Sequence, residues 1–308
     1  MSNWTADQIP DQTGRTVLVT GANSGLGLHT ALQLARHGAR VLLACRSPER
    51  GQAALEQVRR RGAADLVGLD LADLDSVRHA AAEVRERTGD SLDLLVNNAG
   101  VMATPSRRTK DGFELQFGTN HLGHAALTWL LGPALGNAPN PRVVTVSSLA
   151  HRIGRIALDD LNFARRRYGS WPAYGQAKLA NLLFAFELDR RARQAGLDLV
   201  SVAAHPGFSN TELAGNMARS RGSSLMKQGS RVFGALFAQS AEQGVLPQLY
   251  AATAPDVRGG EYFGPDGLGE VRGGPRRVKA RRAAYNPGLA AALWRRTAEL
   301  TGVQPFPQ

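Results

Sequence analysis

The chain has 308 residues, 43% of them hydrophobic and 20% charged, with a formal net charge of +11. These proportions, without any low-complexity tract, exclude a disordered or fibrous protein, and the length suits one α/β domain with extra loops. The basic excess is 33 Arg against 4 Lys, interspersed with Asp and Glu except in one cluster, Arg272, Arg276, Arg277, Lys279, Arg281 and Arg282. That cluster sits in a Gly/Pro-broken stretch without stacking aromatics, so no nucleic-acid partner is expected. One cysteine, Cys45, rules out an intrachain disulfide, and the seven histidines show no metal-ligand spacing, so no metal is expected. The first residues, MSNWTADQIPDQTG, carry no signal-peptide pattern, and no run reaches the ~18 apolar residues of a membrane span. A cytoplasmic protein without a membrane anchor is expected.

From residue 15 the pattern alternates strand, turn and helix. TVLVT (16–20) is a β-branched run ended by glycine, and LHTALQLARHG (28–38) carries apolar residues at helical spacing up to Gly38. RVLLAC (40–45), DLVGLDL, LDLLVNNAG, RVVTVSS and DLVSVAAHPG are further apolar strands. Helices are predicted between them near 49–61, 74–88, 111–135 and 172–195. Near-continuous apolar strands separated by helices predict a doubly wound, Rossmann-like parallel sheet covered on both faces. One domain spans 1–308, with an arm (1–13), a core (14–207), substrate-binding loops with a last helix and strand (208–285) and a tail (286–308). Ser240 with Gln243 resembles a capping box opening a last long helix, and GEYFG (260–264) reads as a final strand.

The stretch TGANSGLG follows a strand and opens a helix, the context of a dinucleotide turn. Gly21 allows the tight turn, Gly25 lets the backbone approach a pyrophosphate, and Gly27 permits close helix–strand packing; Asn23, Ser24 and Leu26 complete the cradle. A carboxylate at the end of the second strand would bind both ribose hydroxyls of NAD, but that window holds Cys45 and Arg46. A guanidinium there suits a 2′-phosphate, so NADP(H) is preferred over NAD(H). Asp70, followed by Leu71, is placed to accept from an adenine amino group or to cap a helix. In YGQAK, Tyr174 and Lys178 are four apart and share a helix face, a spacing that a catalytic pair and an exposed stripe both satisfy.

TGANSGLG, Asp70, NNAG (97–100), Asn120 in TNHLG, Ser147-Ser148, YGQAK and PGFSNT (206–211) stand in the order and spacing of the short-chain dehydrogenases/reductases, which the chain resembles. The phrasing YGQAKLANLLF and GEYFGPDG is similar to the retinol-dehydrogenase-like branch. The resemblance implies hydride transfer between a carbonyl and an alcohol, with Tyr174 as general acid or base and Lys178 stabilising its phenolate. It gives Ser148, rather than Ser147, to the substrate oxygen and the side chain of Asn120 to a relay water. It adds Asn98, Ala99, Gly100, Pro206, Gly207, Ser209 and Thr211, with Tyr174 and Lys178, as cofactor contacts. A cofactor-binding regulator without catalysis is the alternative. Apolar Leu213, Met217, Leu225, Met226 and Phe233 suggest a lipophilic small-molecule substrate, and a homo-oligomer is compatible with the relatives.

Overall fold

The computed structural model describes residues 4–208 and 240–307. The predicted contacts Ser209 and Thr211, and the apolar set from Leu213 to Phe233, lie outside the described residues. The first half follows the alternation read from the sequence: β1 (Thr16–Thr20), α1 (Gly25–Arg36), β2 (Arg40–Cys45), α2 (Pro48–Arg59), β3 (Ala64–Gly68), α3 (Leu74–Arg87) and β4 (Leu94–Asn97). Next come α4 (Leu115–Phe117), a π-turn (Gly118–Leu122), α5 (Gly123–Leu130), α6 (Gly132–Asn137), β5 (Arg142–Val146), α7 (Ser170–Gln194) and β6 (Val200–Ala204). After residue 239 the elements are α8 (Ala241–Gly244), α9 (Leu246–Thr253), β7 (Tyr262–Pro265), β8 (Pro275–Arg277) and α10 (Pro287–Thr301).

The strands form one sheet in the order β3-β2-β1-β4-β5-β6-β7-β8, parallel except for β8, which pairs antiparallel with β7. Side-chain alternation divides the core between the two faces. Val17, Val19, Val41, Leu43, Val96, Val144 and Val202 pack toward α1, α2 and α9, while Leu18, Leu42, Leu95, Val143 and Ala203 pack toward α3, α5, α7 and α10. Strand order reverses between β1 and β4, and ligands of open α/β sheets bind in the crevice that this reversal opens at the carboxyl ends.

Four expectations need correction. The helix predicted over 111–135 is three short helices around a π-turn, because the Glu114 carboxylate caps at Gln116 and Phe117 and Gly132-Pro133 restarts the chain. The long helix predicted from Ser240 is two short ones: Ser240 Oγ accepts from Gln243 N at 3.3 Å, but Pro247 begins a separate helix that ends at Thr253. GEYFG, read as the final strand, is followed by an edge strand in the Arg-rich stretch, where Arg277 pairs with Glu261 (2.6 Å) and Asp256 (3.0 Å). Residues 286–308, read as a tail, contain α10, capped by Asn286 with Pro287 in its first turn. Its Trp294 stacks on Phe184 (5.3 Å between ring centres) and meets Trp129 edge-on (4.8 Å), closing the face made by α5 and α7.

Burial of the Trp294 ring in this cluster leads to a measurable expectation. Trp294→Ala should lower unfolding free energy by about 3–5 kcal/mol in urea titrations, the range for emptying a large aromatic site. A loss below about 1 kcal/mol would mean that α10 merely lies on the surface.

Candidate active site

The glycine turn is built as the sequence requires. Gly21 (φ 67°) and Gly25 (φ 53°) occupy left-handed conformations that favour glycine. A Cβ on Gly27 would collide with the Gly21 carbonyl and lie 2.6 Å from Asn98 Nδ2, so helix and strand approach as closely as they do only because that atom is absent. Ser24 is the N-cap of α1 but makes no side-chain capping bond, which leaves the first-turn N–H groups facing the crevice beside Asn23 and Leu26. The turn therefore fits a dinucleotide pyrophosphate.

Thr20, at the end of β1, was not singled out from the sequence, yet its hydroxyl joins three segments. Oγ1 accepts from the backbone N–H groups of Asn98 (2.9 Å) and Ala99 (3.0 Å) and donates to His124 Nε2 (2.9 Å). The other ring nitrogen of His124, as Nδ1–H, donates to the Asn120 carbonyl at 3.0 Å. Asn98 Nδ2 also donates to the Thr20 carbonyl (2.8 Å), so the NNAG turn is fixed to the end of β1 by backbone and side chain alike. The sequence signal was present in a hydroxyl residue directly ahead of the glycine turn.

Asn120 lies in the π-turn, where the helix ladder is loosened. Its Nδ2 donates to the Val101 carbonyl (2.9 Å) and Oδ1 accepts from Val101 N (2.8 Å), so both ends of the amide hold the peptide that follows Gly100. A Cβ on Gly100 would lie 3.2 Å from Asn120 Oδ1 and 3.7 Å from Lys178 Nζ, which shows how closely the NNAG turn, Asn120 and Lys178 converge.

The two serines after β5 separate as strand alternation demands. Ser147 is buried and its Oγ donates to the Lys178 carbonyl (2.8 Å), a structural bond within the core. Ser148 N-caps the 3-10 segment Leu149–Ile153, its Oγ accepting from Ala150 N (3.2 Å), and its hydroxyl acts to lower the pKa of the Tyr174 phenol. Tyr174 and Lys178 share the inner face of α7 and are only 6% and 3% exposed, which rules out the exposed-stripe reading of YGQAK. Lys178 Nζ donates to the Val146 carbonyl (2.9 Å) and lies 5.7 Å from the centre of the Tyr174 ring. Burial pulls the Lys178 ammonium down to about 8 and pushes the Tyr174 phenol up to about 12, with Ser148 partly offsetting the second shift. Desolvation thus outweighs the expected lowering of the Tyr174 pKa by the ammonium.

The remaining candidates lie after the carboxyl ends of β2, β3 and β6. Arg46 is exposed at the carboxyl end of β2, next to Ser47, the cap of α2. Asp70 Oδ1 accepts from Ala72 N (2.9 Å), which shapes the turn after β3. The Leu71 side chain belongs to the core, and its carbonyl packs against Gly123. Pro206 and Gly207 follow β6, with Gly207 at φ 70°. In the segment ahead of α7, Arg165 pairs with Asp159 (2.9 Å) and Arg166 with Asp160 (3.4 Å).

A doubly wound sheet with a glycine turn at its switch point, and Ser148 near the buried Tyr174–Lys178 pair, has the form of an NAD(P)-binding oxidoreductase. The family model described as short chain dehydrogenase matches residues 15–222, and the chain belongs to that family. It is 41% identical to human "Retinol dehydrogenase 13" over 299 residues (94% of this chain, 86% of that one) and 39% identical to mouse "Polyprenol dehydrogenase" over 290 residues (91% and 84%). The crystal structure of an uncharacterized Mycobacterium paratuberculosis protein matches with a TM-score of 0.83 and 45% identity, covering 100% of both chains. The protein is therefore a retinol-dehydrogenase-like oxidoreductase acting on CH–OH groups. Among the described residues no helix is long and apolar enough to cross a membrane.

The buried histidines around this site set an acid limit on stability. Burial pulls His121 down to about 3 and His124 and His151 down to about 4, from an ordinary value of 6.5. Between those limits the unfolded chain binds protons that the folded chain refuses. Stability from this source is complete above the ordinary value and is lost as pH falls toward 4. Urea midpoints measured from about pH 7 down to about pH 4.5 should decline steadily, and a flat profile would mean that these rings charge while folded.

Proposed function

We propose that the protein is an NADP(H)-dependent oxidoreductase that interconverts a lipophilic aldehyde or ketone and its alcohol, with Tyr174 as the proton donor and acceptor. The observation that carries the proposal is the burial of Tyr174 one helical turn from Lys178, whose Nζ lies 5.7 Å from the centre of the tyrosine ring. A nicotinamide cofactor, when bound, supplies or takes up the hydride. In reduction, the substrate oxygen accepts from Ser148 and Tyr174, and the phenol proton moves to that oxygen as negative charge develops there. A phenol held near 12 is fully protonated at neutral pH, which suits this direction. In oxidation Tyr174 must lose its proton, and the Lys178 charge on the same helix face favours the phenolate.

Arg46 beside the N-terminus of α2 supports a 2′-phosphate over a bare ribose. The relatives named for retinol and polyprenol support a long apolar alcohol or aldehyde as substrate. Lys178 also suits the nicotinamide ribose hydroxyls, and the Gly100 and Gly207 backbones suit the nicotinamide half.

Two substitutions test the assignment. Tyr174→Phe should reduce kcat for NADPH oxidation with an aldehyde by about 10²–10⁴-fold while NADPH still binds in a fluorescence titration; near-normal turnover would remove Tyr174 from the mechanism. Arg46→Asp should lower the ratio of kcat/KM for NADPH over NADH by about 10–100-fold, the worth of one charged hydrogen-bonding partner. An unchanged ratio would mean that another group reads the 2′-phosphate.

A further inference from the structure

The carboxyl ends of β5, β6 and β7 are joined by three side chains that the proposed chemistry does not use: Arg152, His205 and Glu270. His205 directly follows β6, and its side chain is fully buried. Its Nδ1 accepts from the backbone N–H of Gly207 at 3.2 Å, so that nitrogen carries no proton. Its proton therefore sits on Nε2, which donates to Glu270 Oε2 at 3.1 Å. The same carboxylate oxygen receives Arg152 Nη2 at 2.9 Å. Arg152 belongs to the 3-10 segment capped by Ser148, and His151 in that segment donates Nδ1–H to the Ser148 carbonyl at 2.7 Å.

The backbone around this cluster is strained in a way that calls for a reason. Glu270 has φ 60°, in the left-handed region where a side chain is unfavourable, and its neighbour Gly269 has φ 66°. Glycine would satisfy position 270 without that cost. The Glu270 side chain offsets the strain through its two bonds, a pattern characteristic of functional positions. Two glycines make room for the cluster: a Cβ on Gly264 would strike His205 Nε2, and one on Gly207 would strike the Val271 carbonyl. Phe208 N donates to that same carbonyl at 2.8 Å, so the loop bearing Glu270 lies directly over the Pro206–Gly207 turn.

We infer that Arg152, His205 and Glu270 are positioning residues that clamp the Pro206–Gly207 turn in the shape required by the nicotinamide end of the cofactor and tie it to the segment that presents Ser148. The inference rests on the dinucleotide reading of the site given above. Both halves of the reaction are then set by one carboxylate: the turn that meets the cofactor through His205, and the turn that meets the substrate oxygen through Arg152.

The strain at Glu270 makes the test discriminating. Glu270→Gly removes the carboxylate and relieves the backbone, so the melting temperature of the cofactor-free protein should stay level or rise. The Kd for NADPH, measured by fluorescence titration of the folded protein, should nevertheless increase about tenfold or more. Glu270→Gln keeps an oxygen that accepts from His205 Nε2 and should restore the Kd to within about threefold of the parent. His205→Phe should weaken NADPH binding similarly, and the double variant Glu270→Gly/His205→Phe should be no weaker than the worse single one, since both act through one link. An unchanged Kd in Glu270→Gly, or a loss that Glu270→Gln does not restore, would overturn the clamp. A parent protein that binds neither NADPH nor NADH would overturn the dinucleotide reading and this inference together.

Discussion

The hydroxyl of Thr20 holds the cofactor side of the crevice together, because polar groups of three backbone segments converge on it and on His124. β1 ends at Thr20, the NNAG turn directs the N–H groups of Asn98 and Ala99 at its hydroxyl, and the π-turn presents the Asn120 carbonyl to His124. One hydroxyl and one neutral imidazole answer all of them, the hydroxyl accepting twice and donating once and His124 completing the chain to Asn120. A buried polar group left unpaired costs about 1–3 kcal/mol, so these segments have little freedom to settle elsewhere. The crevice is thereby formed by the same bonds that finish the secondary structure.

Burial then sets the electrical character of the centre. Tyr174, Lys178, His121 and His124 all lie in the interior, and desolvation dominates every one of their shifts. The result is one cation of reduced basicity, Lys178, among groups held neutral, the phenol protonated and the imidazoles uncharged. A centre of this kind responds strongly to any charge brought into it, since few mobile dipoles remain to screen that charge.

What was legible in the sequence was local in origin. The positive φ values at Gly21 and Gly25, the shared face of Tyr174 and Lys178, and the opposed directions of Ser147 and Ser148 all follow from residue type and spacing. The parts that were not legible depend on partners distant along the chain. Asn120 turns its amide to Val101, Lys178 turns to the Val146 carbonyl, and Glu270 accepts from His205 across 65 positions. The boundaries within 111–135 were not read because the run is periodic enough for one helix, whereas the Glu114 cap, the π-turn bearing Asn120 and the restart at Gly132-Pro133 divide it. α10 was missed for a different reason: its Asn-Pro cap was readable, but the aromatic surface that it covers comes from α5 and α7.

That last arrangement also bears on how the chain is made. α7 ends at Gln194, while Pro287, the first residue of the helix that shields it, is translated much later. At ordinary elongation rates the ring surfaces of Trp129 and Phe184 wait roughly 5–20 seconds for their cover, long enough for a nascent chain to be engaged by a chaperone or by a neighbouring copy.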